Sequence, residues 1–127
     1  MCEFQITSYR DLRVWQEAMT LAEVCYLVTR KLPRTELFGL TSQIRRAAAS
    51  IPANIAEGHG RENTQPFIQH LRIAQGSLKE LETHLALSVR VGAMGEADCA
   101  PVLKQCEAIG KMLRSLIRSL QQKRAEL

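Results

Sequence analysis

A chain of 127 residues, 46% hydrophobic and 24% charged, has the size and balance of one globular domain spanning 1–127, able to bury a core without staples. Its apolar runs fall far short of the ~20 residues a membrane helix needs, and the opening "MCEFQITSYRDLR" has no apolar core of the kind a secretory signal carries, so a cytoplasmic location is expected. The formal net charge of +4 is uneven: residues 1–110 hold twelve Lys/Arg against twelve Asp/Glu, and the excess falls on 111–124, "KMLRSLIRSLQQKR".

With aromatics at 5% and alanine and leucine dominating the apolar set, helices are favoured over sheets. The first helix is expected over 11–32, capped by Ser8 or Asp11 and stopped by Pro33. It carries two apolar stripes. Leu12, Trp15, Met19, Ala22 and Tyr26 form one; Val14, Ala18, Leu21, Cys25, Val28 and Leu32 form the other. A monomer's core needs one such stripe, so the second points to a subunit contact.

The second helix is expected over 35–57, with Thr35 as its cap. Leu37, Leu40, Ile44, Ala47, Ile51 and Ile55 make its seam, and Gly58 and Gly60 close it. Pro52 lies within it, removing one backbone donor and pressing on the Ala48 carbonyl. Small neighbours (Ala47, Ala48, Ala49, Ser50, Ala53, Ala56) would let a helix kinked at Pro52 approach a matching small patch, Ala74, Gly76 and Ser77. Ser50, Asn54 and Glu57 supply polar groups for the freed backbone or for a partner subunit.

The third helix is expected over 64–92, with Pro66 in its first turn and a seam of Phe67, Leu71, Ala74, Leu78, Leu81, Leu85 and Ser88. The fourth spans 96–123, with Val102, Cys106, Ile109, Leu113, Leu116 and Leu120 inward. Short connections of roughly two to eight residues make the helices antiparallel neighbours. The predicted fold is all-α, an antiparallel up-down four-helix bundle.

No residue set points to catalysis. Cys2, Cys25, Cys99 and Cys106 form no C-x-x-C pair, and Cys99 and Cys106 lie roughly 10 Å apart along one helix, too far for a disulfide. Buried reduced thiols are expected. A di-iron bundle needs two Glu-x-x-His sets, whereas Glu80 and His84 are four residues apart with no second set. Ser50 and Ser77 lack His and Asp partners, and "GHG" at 58–60 is too short to cradle phosphate. Glu57, Glu80 and Glu82 are expected to pair with Arg46, Lys79 or a neighbouring subunit. No metal, cofactor or enzymatic activity is expected.

The basic residues are more suggestive. Lys111, Arg114 and Arg118 recur at three or four residues and share one helix face, and Arg45 and Arg46 add charge on the second helix. Repeated around an oligomer, such faces accumulate phosphate contacts. No aromatics interleave with them, so backbone-directed contact with RNA or DNA is indicated rather than base reading.

The stretches "YRDLRVWQEAMTLA", "LPRTELFGLTSQIRRAAASIPANIAEGHGR" and "LRIAQGSLKELETHLALSVRVG" resemble the bacterial 23S rRNA intervening sequence proteins, from about Tyr9 to Gly92. The likeness is strongest at Trp15, Glu36, Leu40–Gln43, Arg46, Ser50–Gly58, Gly60, Arg61 and Gly76–Glu82. It implies a four-helix bundle assembled as a pentamer. It also implies kinship with the basic, nucleic-acid-binding accessory protein of diversity-generating retroelements. Trp15, Ser50, Pro52, Asn54, Glu57, Gly76 and Ser77 then stand as structural or interface candidates. Two functions follow as expectations: an oligomeric bundle that contacts nucleic-acid phosphate as an accessory factor, or an interaction scaffold that recruits a protein and never touches nucleic acid.

Overall fold

The computed structural model describes residues 8–125, and all regular structure among them is helical. Four helices, α1 (Arg13–Thr29), α2 (Ser42–Gly60), α3 (Thr64–Arg90) and α4 (Glu96–Ala125), contribute to one contiguous apolar core. Neighbours run antiparallel. Arg45 at the start of α2 meets Thr29 at the end of α1, and Gly58 at the end of α2 lies on Phe67 and His70 at the start of α3. Cys99 at the start of α4 reaches the Leu85 carbonyl of α3, and Lys31 beyond α1 pairs with Asp98 of α4 at 3.3 Å. Adjacent packing links α1 to α2, α2 to α3, α3 to α4 and α4 to α1, which leaves α2 diagonal to α4.

The expected seams of α3 and α4 are present, with small shifts. Leu71, Ala74, Leu78, Leu81, Leu85 and Ser88 of α3 are buried, with Ile68 in place of the half-buried Phe67. In α4 Val102, Cys106, Ile109 and Leu113 are buried together with Ile117, while Leu116 and Leu120 are half-buried. Of the two stripes on α1, the one containing Val14, Ala18, Leu21 and Cys25 faces the core. Along the other, Leu12 is buried and Trp15 and Ala22 pack against the core, while Met19 and Tyr26 remain 39% and 44% exposed, so the single chain covers part of this stripe and leaves those two residues outward. Trp15 is half-buried, its ring 5.1 Å edge-on from Tyr9, tying the N-terminal turn Tyr9–Asp11 to α1. Ser8 and Asp11 form a capping box on that turn rather than on α1, which starts after an extended Leu12.

The expected start of the second helix at Thr35 is wrong. After Pro33 the chain makes a 3-10 turn, Arg34–Glu36, and a wider π-type turn, Leu37–Thr41, before α2 begins at Ser42. The Glu36 carboxylate, not Thr35, accepts from the Leu40 N–H at 3.2 Å, and Gly39 leaves helical geometry (φ −108°, ψ −111°). Leu37 is therefore 49% exposed instead of in the seam. The end of α2 also differs from expectation. Gly58 and Gly60 are both helical, and the left-handed residue is Glu62 (φ 60°).

Helix α2 continues through Pro52, whose ring is buried among Ala47, Ala48, Ile51 and Ile55. Contact with α3 is polar around the proline and very close one and a half turns later. Ser50 Oγ and Ser77 Oγ lie 2.8 Å apart, and Asn54 Nδ2 donates to both the Ser50 carbonyl and Ser50 Oγ. Gly76 does not join this contact: it is exposed and a Cβ there would meet nothing within 4 Å. The close approach is made by Gly58, where a Cβ would stand 2.6 Å from His70 Cβ and 3.0 Å from Phe67 Cδ1.

Three cysteines, Cys25, Cys99 and Cys106, are buried free thiols; Cys2 lies outside the described residues. Burial, with a smaller push from neighbouring cysteines, raises the Cys25 and Cys106 thiols to about 12, and burial also raises Cys99. All three stay protonated at neutral pH and unreactive as nucleophiles.

These observations set two expectations. Gly58→Ala destabilises by about 1–3 kcal/mol in chemical denaturation because the new methyl overpacks the α2–α3 contact. Gly60→Ala, in open space on the same helix, is neutral or stabilising by up to about 1 kcal/mol. Equal effects at the two glycines would contradict the close-approach assignment. In a Cys2→Ser background, a thiol reagent at pH 8 should leave Cys25, Cys99 and Cys106 untouched in the native protein and label all three in guanidinium; rapid native labelling would contradict their sequestration.

Candidate nucleic-acid interface

The basic residues of α4 occupy one outward arc. Lys111, Arg114 and Arg118 are all exposed, as the spacing requires. Lys111 makes an i,i−4 pair with Glu107 at 3.8 Å, but both side chains are 68% exposed, so solvent screens the pair and the ammonium stays available. Lys123 is exposed near the end of the helix, and the side chain of Arg124 lies outside the described residues. Beside the arc runs an open groove of about 460 Å³ between the start of α1 and the second half of α4, lined by Leu12, Arg13, Val14, Lys111, Met112 and Leu116 among others. Arg13 thus comes beside Lys111, a neighbour that helical spacing within one segment could not reveal.

Arg45 and Arg46 do not join this surface. They sit at the start of α2, diagonal to α4 and at the end of the bundle where Lys31 reaches Asp98. Asp98 lies thirteen residues before Lys111, about 20 Å along α4. Arg45 is also committed internally. Its Nε donates to Thr29 Oγ1 at 2.9 Å, its Nη2 to the Tyr26 carbonyl at 3.4 Å, and its guanidinium lies 4.6 Å over the Tyr26 ring. Arg46 is exposed in a groove beside Phe38 and Tyr26.

The polar candidates of α2 form a ladder to α3. Because Asn54 Nδ2 donates to Ser50, its Oδ1 faces His70 Nδ1 at 3.2 Å, and His70 Nδ1 also lies 3.3 Å from Glu57 Oε2. That pattern assigns the proton to Nδ1, with the Asn54 and Glu57 oxygens as acceptors. Neither serine touches the imidazole: Ser50 and Ser77 bond to each other, so the ladder links helices and assembles no Ser–His pair. The acids mostly find partners close by. Glu82 pairs with Lys79 at 3.0 Å, Glu80 with His84 at 3.7 Å, and Glu57 with His70 rather than with Arg46. No group of three or more His, Cys, Asp or Glu side chains among the described residues is arranged to hold a metal ion. No described helix is long and apolar enough to cross a membrane.

Spacing alone missed His70 as the partner of Asn54 and Glu57, because those residues lie on different helices. It also missed Phe38, which is 92% exposed; its signal was an aromatic set between a capping Glu36 and Gly39.

Comparison with known proteins agrees with this architecture. No curated protein matches the chain. A crystal structure at 1.70 Å of a protein of unknown function from the S23 ribosomal protein family of Bacteroides thetaiotaomicron VPI-5482 superimposes with a TM-score of 0.75 at 26% identity, covering 83% of this chain and 95% of that one. The model of the 23S rRNA-intervening sequence protein family matches residues 10–115, which takes in all of α1, α2 and α3, the ladder between α2 and α3, and α4 as far as Ser115. With that match across most of its length, the chain belongs to the 23S rRNA-intervening sequence protein family.

Proposed function

We propose that the protein is a non-enzymatic, oligomeric four-helix bundle, assembled as a pentamer, that holds RNA or DNA by its phosphate backbone as an accessory factor. The observation that carries this reading is the outward arc of Lys111, Arg114 and Arg118 on α4, where the one ion pair the arc makes among the described residues, Lys111 with Glu107, is itself solvent-exposed. Three cations on one chain attract a polyanion weakly, and each further copy multiplies the contacts and counterions released. The exposed apolar residues Met19, Tyr26 and Leu27 on α1 support assembly, since a surface of that kind is retained where another subunit covers it. Arg45 and Arg46 are left out of the nucleic-acid surface, the first because its donors are used internally and both because they lie at the far end of the bundle.

Binding of a single-stranded RNA oligonucleotide, followed by fluorescence anisotropy across a salt series, tests the reading. Three phosphate contacts per engaged subunit give a slope of log affinity against log salt of about −2 for each. Lys111→Glu, Arg114→Glu and Arg118→Glu together should lower affinity at least tenfold and flatten that slope. Absence of binding at physiological ionic strength, or affinity indifferent to the three reversals, would overturn it and leave the protein-recruiting scaffold as the better description.

A further inference from the structure

We infer that the groove between the start of α1 and the second half of α4 seats an unpaired base, which makes a single strand rather than a duplex the ligand of this surface. The inference rests on the phosphate-binding reading above and specifies the form of nucleic acid that the same surface takes. The groove, of about 460 Å³, has an apolar floor formed by buried Leu12 and Val14 and half-buried Met112 and Leu116. Cations stand on both sides of it, Arg13 on α1 and Lys111 on α4, and no acidic side chain lines it. Arg13 is exposed and makes no ion pair among the described residues, so no carboxylate there holds its guanidinium.

Lys111 belongs both to this groove and to the cationic arc, so phosphates held on the arc bring the rest of their strand to the groove's edge. Arg114 and Arg118 continue the arc at steps of roughly 4.5 and 6 Å along the helix axis. A row of cations beside an apolar trough matches a polymer with one negative charge and one flat, apolar-faced group in every unit. A single strand supplies that repeat, and an acidic peptide of mixed sequence does not. Without an aromatic ring in the groove, the planar guanidinium of Arg13 is the group that stacks on the face of a base. Ser115 and Ser119 also line the groove, and a hydroxyl donates or accepts as its neighbour requires. They satisfy the polar edge of any base without choosing among bases, so the base is held and its identity is not read. In a duplex the bases stack on one another, and only phosphate is left for the arc."

Fluorescence anisotropy on the full chain tests the inference with three RNA probes of equal length. They are a single-stranded oligouridylate, the same strand annealed to its complement, and a strand with the same sugar-phosphate chain and no bases. Phosphate attraction alone favours the duplex, whose charge is denser. A seated base reverses that order: the single strand should bind more tightly than either of the others by at least about fivefold, the scale of one stacked base. Arg13→Lys keeps the charge and removes the plane, so it should erase most of this preference and leave affinity for the base-free strand unchanged. Circular dichroism verifies that the variant folds. Equal affinity for strands with and without bases, or tighter binding of the duplex, would overturn the base seat while sparing the phosphate reading. A preference that Arg13→Lys leaves intact would overturn the assignment to this groove. Binding of none of the three probes at physiological ionic strength would overturn the inference and the phosphate reading together.

Discussion

The seam between α2 and α3 is the contact from which the other helices take their places. At Gly58 the backbones come so close that only a hydrogen fits against His70 and Phe67. One and two turns earlier, Asn54 and Ser50 carry hydrogen bonds across to His70 and Ser77. Each such bond contributes only about 1 kcal/mol net, but together they select one register, because sliding either helix by one residue would break every pair. Pro52, two residues from both Ser50 and Asn54, is buried on the other side of α2, the side that carries Arg45 to α1. The proline's cost is offset by the core around it: Ile51, Ile55, Leu71 and Leu78, almost wholly withdrawn from water, contribute roughly 1.5–3 kcal/mol each.

Once α2 and α3 are joined, α1 and α4 close the bundle by their apolar stripes and turn their other faces outward. Those faces differ in chemistry. On α1 the outward face mixes exposed Met19, Tyr26 and Leu27 with polar and charged residues such as Glu17 and Glu23, and on the second half of α4 it is basic and polar. The first suits contact with other protein surface and the second suits phosphate. The cationic arc is modest in one chain, so under the proposed assembly its effect would scale with the number of copies. Sequestration of Cys25, Cys99 and Cys106 between the helices leaves these thiols a packing role.

Much of this architecture was legible in the residues. Leu71, Ala74, Leu78, Leu81 and Leu85 repeat with unbroken helical period, and one face of a long helix is the signal such patterns report best. The outward direction of Lys111, Arg114 and Arg118 follows from the same period. The join between α1 and α2 was not legible, because Leu37, Leu40 and Ile44 continue the seam spacing while Glu36 and Gly39 interrupt the helix by a cap and a backbone turn that periodicity does not see. Gly58 was ambiguous for a related reason: glycine both ends helices and lets them touch, and only the position of His70 decides between the two. Arg45 and Arg46, adjacent in sequence, point to different surroundings, and the commitment of Arg45 to Thr29 and Tyr26 depends on a helix sixteen residues away.

Hydrogen exchange of backbone amides in the native protein addresses the role of the α2–α3 seam directly, since it ranks helices by the free energy needed to open them. Amides of Ile51 to Ile55 in α2 and of Leu71 to Leu81 in α3 should be the slowest in the chain and should open only with global unfolding. Slower exchange in α1 or α4, with α2 and α3 opening locally beforehand, would contradict the seam as the frame on which the bundle and its two outward faces are built.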